Sequence, residues 1–295
     1  MAESIEKAGR TQWHPGFVGG LKISLLKYKD LLEYNPEYQL TRGSLYTDLL
    51  VIRKLHEGVI ENDIARVFRK HNIVEYKSPG DRLSIDDLYK VISYVGLYKA
   101  SAEKVNEIPA DELTATIIRE EKPVAMFQEL KRLGAGIEET VKGVFQITGV
   151  INFPLQVIVS GDLEGAEFAG LRILSKKPEE KDVETFVQEA LNYTNPGDQE
   201  DADAVLQVSI SQNLELFEQL KRRDPIMCDA LRALMKPEIE EEKKAAREQG
   251  LEQGVDQNRI ESIKNIMESF QVTAQQAMDA LKIPASEQPK YASKI

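Results

Sequence analysis

The chain has 295 residues, 42% hydrophobic and 29% charged, with 38 Lys and Arg against 49 Asp and Glu for a formal charge of -11. These proportions exclude a disordered or membrane-embedded polypeptide and predict two domains, or one domain with a sizeable appendage. One cysteine, Cys228, and three scattered histidines, His14, His56 and His71, exclude an internal disulfide and a Cys/His zinc site, so a bound metal is expected on carboxylates.

Pro15 to about Leu32 carries Phe17, Val18, Leu21, Leu25 and Tyr28 at helical spacing, which predicts a helix despite Gly19 and Gly20. After a polar loop around Asn35 and Pro36, Leu45 to Ile52 reads as a buried strand with one acid, Asp48, in an apolar run. Ile64 to Lys77 alternates loosely and ends in a second strand, Ile73 to Lys77, stopped by Ser78, Pro79 and Gly80. Ser84, three residues before Asp87, is a helix start signal, and Leu88, Val91, Ile92 and Val95 continue that helix. Leu113 to Ile118 predicts a strand, and Pro123 opens a helix through Phe127 and Leu130 that stops at Gly134. Val144 to Ile147 and Leu155 to Val159 predict two short strands, and Gly161-Asp162 opens a helix with Phe168, Leu171 and Leu174.

From Glu179 onward helices dominate. Val183, Phe186, Val187, Ala190 and Leu191 form one apolar stripe, ended by Asn195-Pro196-Gly197-Asp198, and two helices follow over about 202–222 and 225–236. Cys228 reads as a small buried residue, and the charged run from Glu238 to Gln249 as a solvated helix. Gly250 and Gly254 then mark a hinge or a close helix crossing. Ile260, Ile263, Ile266, Met267 and Phe270 form one amphipathic helix, and the capping box Thr273 to Gln276 opens another that Pro284 closes.

Charge is unevenly spread. Residues 1–100 hold 15 Lys and Arg against 13 Asp and Glu, whereas residues 101–295 hold 23 against 36, which suits a polyanion meeting only the N-terminal part. No run of about 18 apolar residues is present and the first residues lack a secretory apolar stretch, so a cytoplasmic chain without a membrane partner is expected. The phosphate-loop, nucleophile-elbow and His-Glu-x-x-His signatures are absent, and Gly134-Ala135-Gly136 follows a helix and lacks the third glycine of a dinucleotide site. What remains is Asp48 with Glu75 and Lys77. Residues two apart on a strand share a face, so Glu75 and Lys77 can meet one small group together. The alternative, and on these residues alone the commoner arrangement, is a structural Asp–Lys ion pair across two strands.

The order of helix, strand with Asp, strand with Glu-x-Lys, helix and strand resembles the PD-(D/E)XK nuclease superfamily, and within it the recombination-promoting nucleases of the putative transposase family. The resemblance is carried by Gln12 to Pro15, Glu37 to Leu40, Thr47 to Ile52, Phe68 to Pro79 and Leu83 to Val91, and extends through Val157 to Ser160 and Ala202 to Leu206. It implies a restriction-endonuclease-like α/β fold, a mixed sheet flanked by helices, with an all-helical C-terminal extension. The expected division is a nuclease-like domain over 1–195, a helical extension over 196–250 and a small helical tail over 251–295.

The function implied is Mg²⁺-dependent DNA endonuclease activity, Mn²⁺ being an alternative ion, associated with recombination or transposition; the alternative is an inactive relative that binds DNA or proteins. Asp48 and Glu75 would be metal ligands together with the Tyr76 carbonyl, Lys77 would orient the attacking water, and Glu37 is a candidate extra ligand. Arg66, Arg69 and Lys70 are candidate phosphate contacts, Tyr89 and Lys90 candidate walls of a DNA channel, and the C-terminal helices a candidate homo-oligomer contact. Two departures from the family pattern stand out: residues 17–29 carry no acid, with Ser24 where many members supply one, and Thr47 replaces the eponymous proline.

Overall fold

The computed structural model describes residues 13–38, 49–56, 58–223, 225–234, 256–284, 287–292 and 294. Its centre is a seven-stranded sheet in the order β1-β2-β3-β4-β7-β6-β5. The strands are β1 (Leu32–Asn35), β2 (Leu49–Lys54), β3 (His71–Lys77), β4 (Leu113–Arg119), β5 (Gly136–Val141), β6 (Val144–Thr148) and β7 (Leu155–Val159). The middle strands β3, β4 and β7 are mutually parallel, while β1–β2–β3 and β5–β6–β7 are antiparallel at the two flanks. The middle strands are buried along almost their whole length, as a sheet covered on both faces requires, and the buried polar residues Asn72, Thr114, Thr116 and Gln156 within them are hydrogen-bonded.

Helix α1 (Trp13–Ser24) precedes the sheet, α2 (Ile85–Ala100) links β3 to β4, and α3 (Val124–Arg132) follows β4. After β7 come α4 (Ala169–Arg172), α5 (Glu180–Ala190), α6 (Pro196–Gln212), α7 (Leu214–Arg223) and α8 (Pro225–Leu234). The pleat sends alternate residues of β3 to opposite layers. Val74 and Tyr76 enter a core with Phe17, Phe168, Phe186, Val205 and Leu206, whereas Ile73 enters a second core with Leu88, Val91, Tyr94 and Phe127. The chain is thus mixed α/β with helices on both faces of the sheet.

Two glycines of α1 set its packing. A Cβ at Gly19 would lie 2.5 Å from the Asp201 carbonyl oxygen, and one at Gly16 would lie 2.8 Å from Val208 Cγ2. The bare backbone therefore lets α1 and α6 cross closely, a crossing edged by the ion pairs Lys22–Asp201 at 2.9 Å and Lys29–Asp198 at 3.0 Å. That contact draws the helices after residue 195 into the body of the protein. The two compact units are Met1–Leu234 and Met235–Ile295, a division that differs from the expected boundary at 195/196 because Ala202, Val205, Leu206 and Phe217 fill the same core as Phe17.

Several elements also differ from expectation. The polar stretch ending at Asn35 is the edge strand β1, and the charged segment Gly136–Val141 is the opposite edge strand β5. The helix expected after Gly161 is broken into two 3₁₀ turns and the one-turn α4. Asn195 does not end a helix but begins α6, its side chain accepting from the Gly197 amide, and the helix expected over 202–222 divides at Asn213. The charged run 238–249, Gly250, Gly254 and the Cys228 side chain lie outside the described residues.

The second unit contains α9 over 256–270, then α10 (Ala274–Ala280) and α11 (Gln288–Ala292). Its own core is Ile263, Ala277, Met278, Ile283 and Tyr291. The Thr273–Gln276 capping box forms as the sequence predicts, and the Tyr291 hydroxyl donates to Asp256 at 2.8 Å while accepting from Arg259 at 2.9 Å. Among the described residues no helix is long and apolar enough to cross a membrane.

Candidate active site

β3 presents Glu75 and Lys77 on the face covered by α2. The Lys77 ammonium lies 3.6 Å from Glu75 Oε1 and 2.9 Å from Asp87 Oδ1, with side-chain exposures of only 14% for Lys77 and 7% for Glu75. Asp87 arrives there because Ser84 caps α2: the Ser84 amide and hydroxyl donate to Asp87 Oδ2 at 2.8 and 2.7 Å, which fixes the first helical turn against the end of β3. Burial alone would raise the Asp87 pKa, but the Ser84 amide and hydroxyl and the Lys77 ammonium outweigh it and hold the carboxyl at about 2.

One turn further along α2, Lys90 joins the cluster. Its ammonium stands 5.5 Å from the Tyr94 ring centroid. Interaction with the Tyr94 side chain raises its pKa against the opposing effect of burial, and the negative charges of Glu75 and Asp87 raise it further. Tyr89 is exposed on the same helix. On the neighbouring strand the parallel register pairs Lys77 with Arg119, so a third cation shares this face and this end of the sheet.

Other sequence-predicted residues are not brought here. Tyr76 points to the opposite face, where its ring stacks on Phe17 at 4.3 Å, and burial, then Glu120 and Asp81, push its hydroxyl far above the ordinary tyrosine value. Its carbonyl, the atom proposed as a ligand, belongs to the backbone of β3, whose pairing with β2 ends among the described residues at Leu49 and Glu75. Asp48, the residue before Leu49, lies outside the described residues. Arg66, Arg69 and Lys70 precede the start of β3, about 20 Å of strand away from Lys77. There Arg66 pairs with Asp63 at 3.2 Å, Lys70 with Glu112 at 3.2 Å, and Arg69 donates to the Asp111 carbonyl. Glu37 occupies an exposed turn after β1 with φ 52°, and Tyr38 beside it packs on Tyr98, which bonds His71 at that same far end of β3. Ser24 is buried, its hydroxyl donating to the Gly20 carbonyl at 2.8 Å, and so closes the turn of its own helix.

Among the described residues no group of three His, Cys, Asp or Glu side chains is placed to hold a metal ion. The donors at this end of β3, Glu75 and Asp87, are nevertheless all-oxygen and hard, the kind that suits Mg²⁺ or Mn²⁺. Asp87 and Arg119 are the residues of the cluster that sequence reasoning did not assign to it. Asp87 carried a local signal only as a helix cap, and Arg119 carried none, because cross-strand register is not written in local sequence. In comparisons with protein-family models, with curated proteins and with solved structures, nothing matches the chain.

Proposed function

We propose that the chain is a metal-dependent DNA endonuclease that hydrolyses phosphodiester bonds, acting in recombination or transposition. The observation that supports this most is the convergence of a buried carboxylate, Glu75, and an ammonium, Lys77, 3.6 Å apart on one face at the end of a central strand. Glu75, Asp48 and the Tyr76 carbonyl are the ligands this reading assigns to Mg²⁺ or Mn²⁺. Bound there, the ion would acidify a water and offset charge growing on the scissile phosphate. Lys77, held between two carboxylates, would in this reading orient that water and carry positive charge towards the phosphate. Asp87 positions Lys77, and Lys90 adds a cation facing the incoming backbone.

A second reading, an inactive relative that binds DNA or proteins, draws support from the Lys77–Asp87 contact at 2.9 Å, which gives the ammonium a tight structural partner. Nicking of supercoiled plasmid separates the two. The nuclease reading predicts open-circular product with Mg²⁺ or Mn²⁺, none with EDTA, and none from Asp48→Ala, Glu75→Gln or Lys77→Met. Intact plasmid under all conditions, or equal cutting by the substituted proteins, removes it.

A further inference from the structure

We infer that Arg119 is an oxyanion-binding residue of this site, which grips a non-bridging phosphate oxygen of DNA beside Lys77; the inference rests on the reading of the site as one for phosphodiesters. The first ground is position. Parallel register makes Arg119 the direct partner of Lys77, and neighbouring strands run about 4.8 Å apart with paired side chains on one face. Both are the last residues of their strands and the only ones in them that are partly rather than fully buried, so they stand side by side at one end of the sheet.

The second ground is the state of the guanidinium. Lys77 already has two carboxylates within 4 Å, at 2.9 and 3.6 Å. Arg119 makes no ion pair among the described residues, its Nη2 reaches only the Asp81 carbonyl at a long 3.4 Å, and its Nε is buried with no hydrogen-bond partner. A guanidinium offers five donors in a planar fork, and a desolvated donor left without an acceptor is costly, so the group is set up for an acceptor with two oxygens. A phosphodiester supplies such a pair, and a bidentate arginine–phosphate contact is among the stronger charge-assisted hydrogen bonds. The adjoining carboxylates, Glu75 and Asp87, repel a free anion, so binding should favour a polyanion whose other phosphates are held elsewhere along the same surface.

The test is fluorescence anisotropy with a labelled duplex DNA of about 20 base pairs, in EDTA, over a range of salt concentrations, for the full chain and for Arg119→Gln and Arg119→Lys. Arg119→Gln is expected to weaken binding roughly tenfold at low salt and to reduce the slope of log affinity against log salt by about one, the signature of one lost phosphate contact. Arg119→Lys should keep the slope and lose only a few-fold in affinity, since it keeps the charge but not the fork. An unchanged slope and affinity in Arg119→Gln, with the thermal transition of that variant intact, overturns the inference, and so does a full chain that binds no duplex. Because cleavage plays no part in the measurement, a chain that binds through Arg119 and never cuts loses the nuclease reading while this one stands.

Discussion

Replacing Asp87 by Asn removes one charge from the Lys77 cluster while leaving an oxygen to accept from Ser84. In the folded chain the Asp87 carboxyl titrates at about 2, against an ordinary value of 3.8. At about 1.4 kcal/mol per pKa unit the full difference is about 2.5 kcal/mol, and partial solvent access scales this to about 1–2 kcal/mol. The folded pKa is depressed, so the stabilisation is complete above the unfolded pKa and is lost as pH falls from about 4 through 2. By pH 3 roughly half of it is gone. Urea denaturation of the two proteins at pH 7, 5, 4 and 3 should therefore show Asp87→Asn less stable by about 1–2 kcal/mol at pH 7, with a gap that narrows to about half by pH 3. A gap that stays constant over this range would show that cap geometry, not the charge beside Lys77, stabilises this end of α2.

The glycines of two helices should respond in opposite directions. Gly19→Ala, whose Cβ meets the Asp201 carbonyl at 2.5 Å, is expected to lower stability by about 1–3 kcal/mol, whereas Gly96→Ala, with nothing within 4 Å, should raise it by about 0.5–1 kcal/mol; denaturation midpoints measure both. Asn72→Leu should cost about 2–4 kcal/mol in the same assay, because the Asn72 amide donates to the Ile52 and Arg69 carbonyls and accepts from Thr114 at 2.6 Å, leaving several buried groups to lose partners together.

Much of this architecture is legible where local chemistry and tertiary role agree. The β-rich stretches Ile73 to Lys77, Leu113 to Ile118 and Leu155 to Val159 announce β3, β4 and β7, and the Ser84 and Thr273 boxes fix two helix starts to the residue. The edge strands escaped because an edge needs no apolar alternation: β5 is almost wholly exposed, and β1 is four residues held by pairing with β2. The break at Asn213 is equally hidden, since its side chain bonds the Ser175 carbonyl, 38 residues away in sequence. Within the candidate site, the strand period places Glu75 and Lys77 on one face. The partnership of Lys77 with Asp87 depends on how α2 docks on β3, and that with Arg119 on the β3–β4 register, both non-local. The basic cluster of Arg66, Arg69 and Lys70 stands near Lys77 in sequence, yet a strand of seven residues carries it to the far end of the sheet, where acids and a carbonyl engage it.

Metal uptake at the end of β3 is the most direct measurement of the central claim. Titration calorimetry or Mn²⁺ paramagnetic resonance on the full chain is expected to detect a divalent ion that Glu75→Gln abolishes and Asn72→Leu, where it folds, retains. Absence of binding, or equal binding by the Glu75→Gln protein, would contradict the assignment of this carboxylate as the ligand on which hydrolysis depends.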